Sequence, residues 1–589
     1  MPPSTRRSQR STHRSSAVVV GLCLLAAAVE VVVLPGAASP FRAPKAAVAL
    51  AGIALLVAWS VLRGLKAQGV EVPRGPVTVV LLVLPGLYAV SAAWSVDAGR
   101  SVATALGTLI WVVGICWLAT LRDDDRRRAA RWASAGVCAS AAVMLLQSFG
   151  ARPLGVVGAE SSGRLALTGL TGNPADLAMA AMLMLPLAVE GWSGARTRPG
   201  RWAVPAVLVL VTGMTQTLTG LVSAVAVIGV WLVQHRSRRV WTAATVVALA
   251  VIAAGLATGL GQRIESAASQ VRRGDWYQLL SARPDGWTAA VEMARDRPLT
   301  GVGAGAYTVE YYPARLAWLE AHDRSGARGE FATHFEWAHC DPLQLVAETG
   351  PAGILWLAAV TVLSWRGRPR GDPVIVQMAA AFLPFALLHY PLSLAVGLLP
   401  VSLTAARVVA NEPRALLRPG RSSVRRAVAL ATLLTGLLVV VWQVRRIAVD
   451  VWQGAVIAVF DRVQNLPAGQ QPRALAGLET ELAHRVPSMG TQRAWTLRKL
   501  GLVRLTRGDA ATAEDDLRRS MQLWPHEEAE LGLGVALDRQ GRRSEALAAI
   551  GRVLRVNPAL VGLIPDDDLR RSAEDLLEAR RHGARPGAR

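Results

Sequence analysis

Residues 334–353 read HFEWAHCDPLQLVAETGPAG. Two histidines, two aromatics and two acids gather just ahead of an apolar run that also carries Glu348. Histidine is the side chain whose ordinary pKa lets it take up a proton near neutral pH. Asp341 followed by Pro342 is an N-cap and first-turn pair, so a helix is expected to begin there. His339 then sits two residues ahead of a helix N-terminus, where the partial positive charge disfavours imidazolium and leaves a neutral, proton-accepting ring. His334, Glu336 and His339 are also metal-capable. Their spacings of two and three residues in a loop arise readily without an ion, and neither metal nor cofactor is expected. Farther upstream, GVGAGAY (301–307) follows no strand pattern, which argues against a dinucleotide loop.

The elements that must position these residues are hydrophobic helices. Hydrophobic residues make up 52% of the 589 positions and charged ones 18%, and the apolar residues cluster. A run of roughly 18 or more is long enough to cross a bilayer core of about 30 Å. Thirteen such stretches stand out, near 17–35, 46–63, 77–94, 102–120, 130–149, 174–191, 202–216, 218–234, 240–260, 343–365, 374–390, 392–410 and 426–444. The seventh and eighth are short and share the break MTQTLTG. Glu30 interrupts the first run, and further spans follow it, so it does not read as a cleaved signal peptide. The expected fold is all-α: a polytopic membrane protein of twelve to thirteen transmembrane helices, followed by a helical-repeat region.

A net charge of +22 invites a nucleic-acid reading, but the distribution excludes it. Basic clusters occupy the N-terminal tail (1–16), Arg63–Arg74, Arg122–Arg128, Arg196–Arg201, Arg236–Arg239, Arg366–Arg370 and Arg414–Arg426. They recur in alternate loops. That is the positive-inside pattern, and it puts the N-terminus in the cytoplasm. The segment 261–342 and everything after about 445 are then expected outside. Cys340 is the only cysteine in an outside loop, so no structural disulfide is expected there.

The chain therefore divides into the basic tail 1–16, a membrane region 17–444 with a large outer loop 261–342, a linker 445–472 and a soluble region 473–589. In the last, Gly508 matches Gly541, Ala513 matches Ala546, Leu517 matches Ile550 and Pro525 matches Pro558, each 33 residues apart. This spacing reads as tetratricopeptide-like helix pairs, a docking surface for a protein partner, capped by helices near 473–486 and 566–580. An outer-face site has neither ATP nor nicotinamide to hand. What the outer leaflet does supply is lipid-linked phosphate.

The stretch around His339 resembles the signature of the O-antigen ligase and polymerase family, membrane glycosyltransferases that use polyprenyl-diphosphate-linked glycans. That signature is a His, an amide or hydroxyl residue, nine residues and Gly-x-x-Gly. Here it reads His339, Cys340, nine residues, Gly350-Pro-Ala-Gly353. TGNPADLAMAAMLMLPLA (171–188) resembles the family's Gly-Asn-Pro-Asn span, and SARPDGWTAAVEMARDRPLTGVGAGAY (281–307) resembles its Arg…Trp…Pro-Leu-x-Gly-Val-Gly loop. The resemblance covers about 160–365. It implies a metal-independent, inverting transfer of a glycan from a polyprenyl-diphosphate carrier to a hydroxyl on a glycan, lipid, wall polymer or protein. His339 would be the base and Arg283 a diphosphate ligand, a role suited to a permanently charged, bidentate donor.

Two positions depart from the family pattern. Cys340 stands where an amide or hydroxyl is usual, and Thr217-Leu218 stands where family members carry a Ser-Arg whose arginine holds diphosphate. Arg164, just before Gly172-Asn173-Pro174, is the expected substitute. Glu348, a carboxylate in the first turns of the tenth span, is expected to face a partner or cavity. Asn173 either caps the sixth span or contacts substrate. His389, at the outer end of the eleventh span, is expected to be interfacial, and the TQT hydroxyls to bond their own helix. The alternative reading is a transporter, flippase or non-catalytic scaffold for lipid-linked glycan. Against transport stand the few charges deep in the spans and the gathering of titratable groups at the outer interface.

Overall fold

The structure, a computed structural model, describes residues 16–67, 69–153, 163–194, 198–234, 259–322, 334–418, 420–467 and 469–581. Its membrane part is a bundle of apolar helices: α1 (Ser16–Val31), α2 (Arg42–Lys66), α3 (Pro76–Ser91), α4 (Ala98–Ala119), α5 (Asp123–Ser148), α6 (Pro174–Trp192), α7 (Arg198–Met214) and α8 (Leu218–Gln234). Five described helices are long and apolar enough to cross a membrane, and shorter apolar helices accompany them. The protein is an all-α, multi-pass membrane protein. The ninth stretch, 240–260, lies almost wholly outside the described residues.

At the centre stands α6. Every side chain from Leu177 to Met184 is fully buried, as expected of a helix that is apolar all round and ringed by others. Asn173 ends the preceding loop and caps α6, its Oδ1 accepting from Ala175 N at 2.8 Å. Asp176 falls in the first turn.

The outer segment folds on a core of its own. Its elements are α9 (Leu260–Arg272), α10 (Trp276–Leu279), α11 (Arg283–Asp296) and α12 (Tyr307–Ala321). Tyr277, Met293, Tyr307, Tyr311 and Phe335 pack together there. Burial raises the pKa of Asp285, opposed by Arg315 at 2.5 Å and by the Tyr277 hydroxyl at 2.7 Å.

The tenth span is not one helix. It divides into α13 (Asp341–Thr349) and α14 (Pro351–Gly367) at Gly350, whose φ of 62° and ψ of −153° suit glycine alone. A Cβ at Gly350 would lie 2.5 Å from the Leu299 carbonyl oxygen, so the 297–301 turn presses against the break. Asp341 is also not the N-cap: Cys340 takes that position, and Asp341 Oδ2 instead accepts from Leu392 N at 3.2 Å. That contact ties α13 to the turn joining α15 (Pro373–Leu388) and α16 (Ala395–Val409).

Helix ends in alternate loops meet. β1 (Val70–Pro73) pairs antiparallel with β2 (Arg414–Leu417), and Glu412 accepts from Val77 N and Thr78 N at the start of α3. Arg407 joins Glu190 and Asp372 at 2.7 Å each. At the opposite ends Asp450 accepts from Ser39 N.

The expected linker 445–472 is mostly helix. α17 (Ser422–Gln464) runs 43 residues, about 65 Å at the α-helical rise, so it crosses a core of about 30 Å and continues as far again. Beyond it come α18 (Gln471–Arg485), α19 (Arg493–Thr506), α20 (Ala510–Leu523), α21 (Glu527–Arg539), α22 (Arg543–Val556) and α23 (Asp567–Arg581). The turns of α19–α20 and α21–α22 hold Gly508 and Gly541 at φ of 93° and 78°, and Ala513, Leu517, Ala546 and Ile550 are buried between helices.

These helices rest on the outer segment. Trp524 Nε1 donates to Thr308 O at 3.1 Å, the Tyr312 hydroxyl donates to Glu530, and His334 Nδ1 lies 2.9 Å from Glu527 Oε2.

Candidate functional site

His339 adopts φ 54°, one of four non-glycine residues with positive φ among the described residues; the others are Gln216, Ser281 and Ala282. Left-handed backbone costs a non-glycine residue about 1–2 kcal/mol, and such strain gathers at functional sites. Ser281 and Ala282 immediately precede Arg283, and Gln216 lies in the break between α7 and α8.

The His339 ring is enclosed by aromatics. Its centroid lies 5.0 Å from Phe335, 4.7 Å from Tyr390 and 6.0 Å from His389. Nδ1 lies 3.0 Å from the carbonyl oxygen of Trp337. A carbonyl only accepts, so the contact places the proton on Nδ1 and leaves the Nε2 lone pair open. Burial, reinforced by His389 and the Arg283 and Arg42 guanidinium groups, pushes His339 down to about 3, against a smaller upward pull from the Trp337 carbonyl. Burial and the neighbouring cations thus favour the neutral ring.

A hydrogen-bonded chain holds the loop. Ala338 N donates to Gln344 Oε1 at 2.7 Å, and Gln344 Nε2 donates to Glu348 Oε1 at 2.6 Å. Glu348, 4% exposed, thus reaches the backbone next to His339 through Gln344. The glycine-rich loop closes over the same turn, with Val302 N donating to Ala347 O and Gly303 N to Glu348 O. A Cβ at Gly301 would meet the Glu348 backbone at 2.5 Å. GVGAGAY therefore packs against α13.

Arg283 opens α11 and donates to Leu280 O at 2.9 Å. Arg164 lies in the 3-10 turn Gly163–Ala166; its side chain is outside the described residues. Asn173 spends its Oδ1 on the cap. Thr215 bonds its own helix as expected, its hydroxyl donating to Thr212 O at 2.8 Å.

Residues absent from the sequence expectation complete the site. Arg42, at the start of α2, donates to the Tyr390 hydroxyl at 2.6 Å and reaches Asp176 at 3.4 Å and Glu336 at 3.6 Å. Its guanidinium stacks 4.9 Å from the centre of the Trp337 ring, which itself stacks on Tyr390 at 4.6 Å. The available signal was an arginine beside an outer loop, against the positive-inside rule. His389 corrects an expectation. It is not interfacial: its side chain is 3% exposed, and Nε2 lies 2.9 Å from Asp176 Oδ1.

His334, Glu336 and His339 do not converge on a common point: His334 turns to Glu527, Glu336 to Arg42 and His339 to Trp337. His334, His526 and Glu527 do bring ligand-type atoms within 4.8 Å of one another. The two imidazoles stack at 14°, which suits a shared ion poorly because each lone pair lies in its own ring plane. Their geometry is that of a hydrogen-bonded clasp.

No curated protein matches the chain. Residues 202–358 match the family model described as O-Antigen ligase. The matched stretch contains Arg283, His339, Glu348 and Gly350, while Arg42, Asp176 and His389 lie outside it. Over residues 202–358 the chain is therefore similar to the O-antigen ligase family.

Proposed function

We propose that this protein transfers a glycan from a polyprenyl-diphosphate carrier to an acceptor hydroxyl at the outer face of the cytoplasmic membrane, with its N-terminus inside and its C-terminal helices outside. The observation that carries this reading is His339: a neutral imidazole with Nδ1 committed to Trp337, Nε2 open, and two permanent cations near enough to depress its pKa. Nε2 takes the hydroxyl proton as the acceptor oxygen bonds to the anomeric carbon. The carbon–oxygen bond to diphosphate breaks, and its electron pair leaves with the diphosphate. Attack opposite the leaving group inverts the anomeric centre, and no metal is required. Arg283 and Arg42 are the cations that receive the leaving group; Arg42 answers the arginine missing at Thr217-Leu218, and Arg164 stands as a third candidate. Glu348 positions the His339 loop, and Asn173 sets the entry to α6. The C-terminal helices act as tetratricopeptide-like repeats that dock on the outer segment and offer their remaining surface to a protein partner.

The test uses the purified protein in lipid nanodiscs with lipid-linked glycan accumulated by a deletion strain. His339→Ala is expected to lose about a hundred- to ten-thousandfold in transfer while donor binding persists, and chelator is expected to change nothing. An active His339→Ala protein would refute the base assignment. Surface glycans of the deletion strain separate the two transfer outcomes. Accumulated short lipid-linked repeats mark a polymerase, and accumulated long chains mark a ligase.

A further inference from the structure

His389 is an unusual residue to bury where it lies. Asp176, on the first turn of α6, holds His389 Nε2 at 2.9 Å, and both side chains are nearly inaccessible, at 3% and 2%. A carboxylate accepts, so Nε2 carries the hydrogen and Nδ1 carries a lone pair. Nδ1 is buried and has no hydrogen-bond partner among the described residues. Native structures rarely leave such an atom without a partner, so a group from outside the protein, a ligand or a water, is expected to meet it. Packing does not require a second imidazole nitrogen: the ring lies 6.3 Å from Phe385 and 4.1 Å from Tyr390, a setting that phenylalanine would fill. The same ring lies 6.0 Å from His339.

We infer that His389 Nδ1 accepts a hydrogen bond from a sugar hydroxyl of the lipid-linked glycan, with Asp176 fixing the tautomer that presents it. The inference rests on the reading of His339 as the transfer base, because it places the sugar beside both rings. His389 is thus a glycan-binding residue and Asp176 its positioning residue, an arrangement in which an aspartate orients an imidazole without itself taking the proton. A site built to bond a hydroxyl leaves its own buried atom unpaired when that hydroxyl is missing. His389 therefore selects for the glycan rather than for the carrier.

The experiment has two arms. In transfer assays with glycan donor from the deletion strain, His389→Phe should raise the donor KM about tenfold, and His389→Gln, which keeps both a donor and an acceptor, should recover most of the loss. Wild-type KM in His389→Phe, or no recovery in folded His389→Gln, overturns the inference. In the second arm, His339→Ala protein labelled with nitrogen-15 histidine is saturated with the same donor. The unprotonated His389 nitrogen should shift on binding, and carrier lipid bearing diphosphate but no glycan should leave it unmoved. An unmoved resonance with glycan donor, or a doubly protonated ring in the free protein, overturns the inference whatever His339 does. An active His339→Ala protein would instead sink the base reading while leaving the second arm interpretable.

Discussion

Trp337 holds His339 by a 3.0 Å hydrogen bond from Nδ1 to its carbonyl oxygen, and this contact determines which ring nitrogen is available for chemistry. Burial, His389, Arg283 and Arg42 together keep the ring neutral. The pH dependence follows with a definite sign. A histidine lowered from about 6.5 to about 3 stays unprotonated, and so able to accept a proton, throughout mildly acid solution, so the acid limb of kcat/KM should lie well below 6.5. Bound diphosphate offsets the two arginines, so the acid limb of kcat should lie at higher pH than that of kcat/KM. Coincident limbs near 6.5 in both profiles would contradict the placement. Between the two pKa values the unfolded chain binds the proton and the folded one does not, so His339 makes stability fall as pH drops through that window. In His339→Gln that component of the acid sensitivity should disappear.

Arg42 and Arg283 are expected to act on the leaving group. Arg42→Ala and Arg283→Ala should each lower turnover on the order of a hundredfold, the worth of a charge-assisted contact of about 2–3 kcal/mol. Arg42→Lys should recover only part, because lysine cannot bond Tyr390 and Asp176 with one planar fork. Steady-state rates beside protein levels check this. Full activity in Arg164→Ala would remove Arg164 from the diphosphate site, and full activity in folded Arg42→Ala would remove Arg42.

Gly350→Ala should damage the fold itself. The backbone conformation there costs a non-glycine residue about 1–3 kcal/mol, and the new Cβ would meet Leu299 O at 2.5 Å. A lowered Tm and reduced transfer are expected together, while Gly469→Ala, where a Cβ meets nothing within 4 Å, should change neither.

His334 lies in the clasp with Glu527 and Thr308, away from the proposed chemistry. His334→Ala should keep transfer within about threefold, since a rim contact outside the reacting centre is worth under ~1 kcal/mol. The same substitution should raise protease sensitivity between α18 and α23. Loss of transfer comparable to that of His339→Ala would move the catalytic assignment.

Topology is checked by cysteine labelling with a membrane-impermeant reagent in intact cells. A cysteine at the exposed Arg519 should react, and one at the exposed Ser193, in the loop between α6 and α7, should stay protected. Reaction at Ser193 would invert the bundle and place His339 in the cytoplasm.

The amino-acid sequence by itself determined the class of the protein, the helices and the residue at the centre of the proposed chemistry. Long apolar runs must satisfy their backbone groups internally, so their length and periodicity translate directly into spans. Basic residues recur in alternate loops, and the helix ends they flank meet in space. His339 stood out because a titratable ring preceding a helix start is a local feature, visible within ten residues. The break at Gly350 did have a local signal, because Gly350-Pro351 is a helix-breaking pair, but the length of the apolar run masked it. The Leu299 carbonyl packed against Gly350 is a tertiary feature that no local pattern carries. The linker 445–472 became helix because Trp452, Val456, Val459 and Val463 pack against Leu475, Leu478 and Leu482 of α18, a partner that the stretch does not name by itself. Arg42, Asp176 and His389 were hidden for a different reason: 134 residues separate the first two and 213 the last two. Short-range pattern reads what a residue can do. Which partners it meets, and hence whether His389 faces lipid or holds an unpaired nitrogen beside His339, is decided by helix packing, which brings the ends of α2, α6 and α15 to one point.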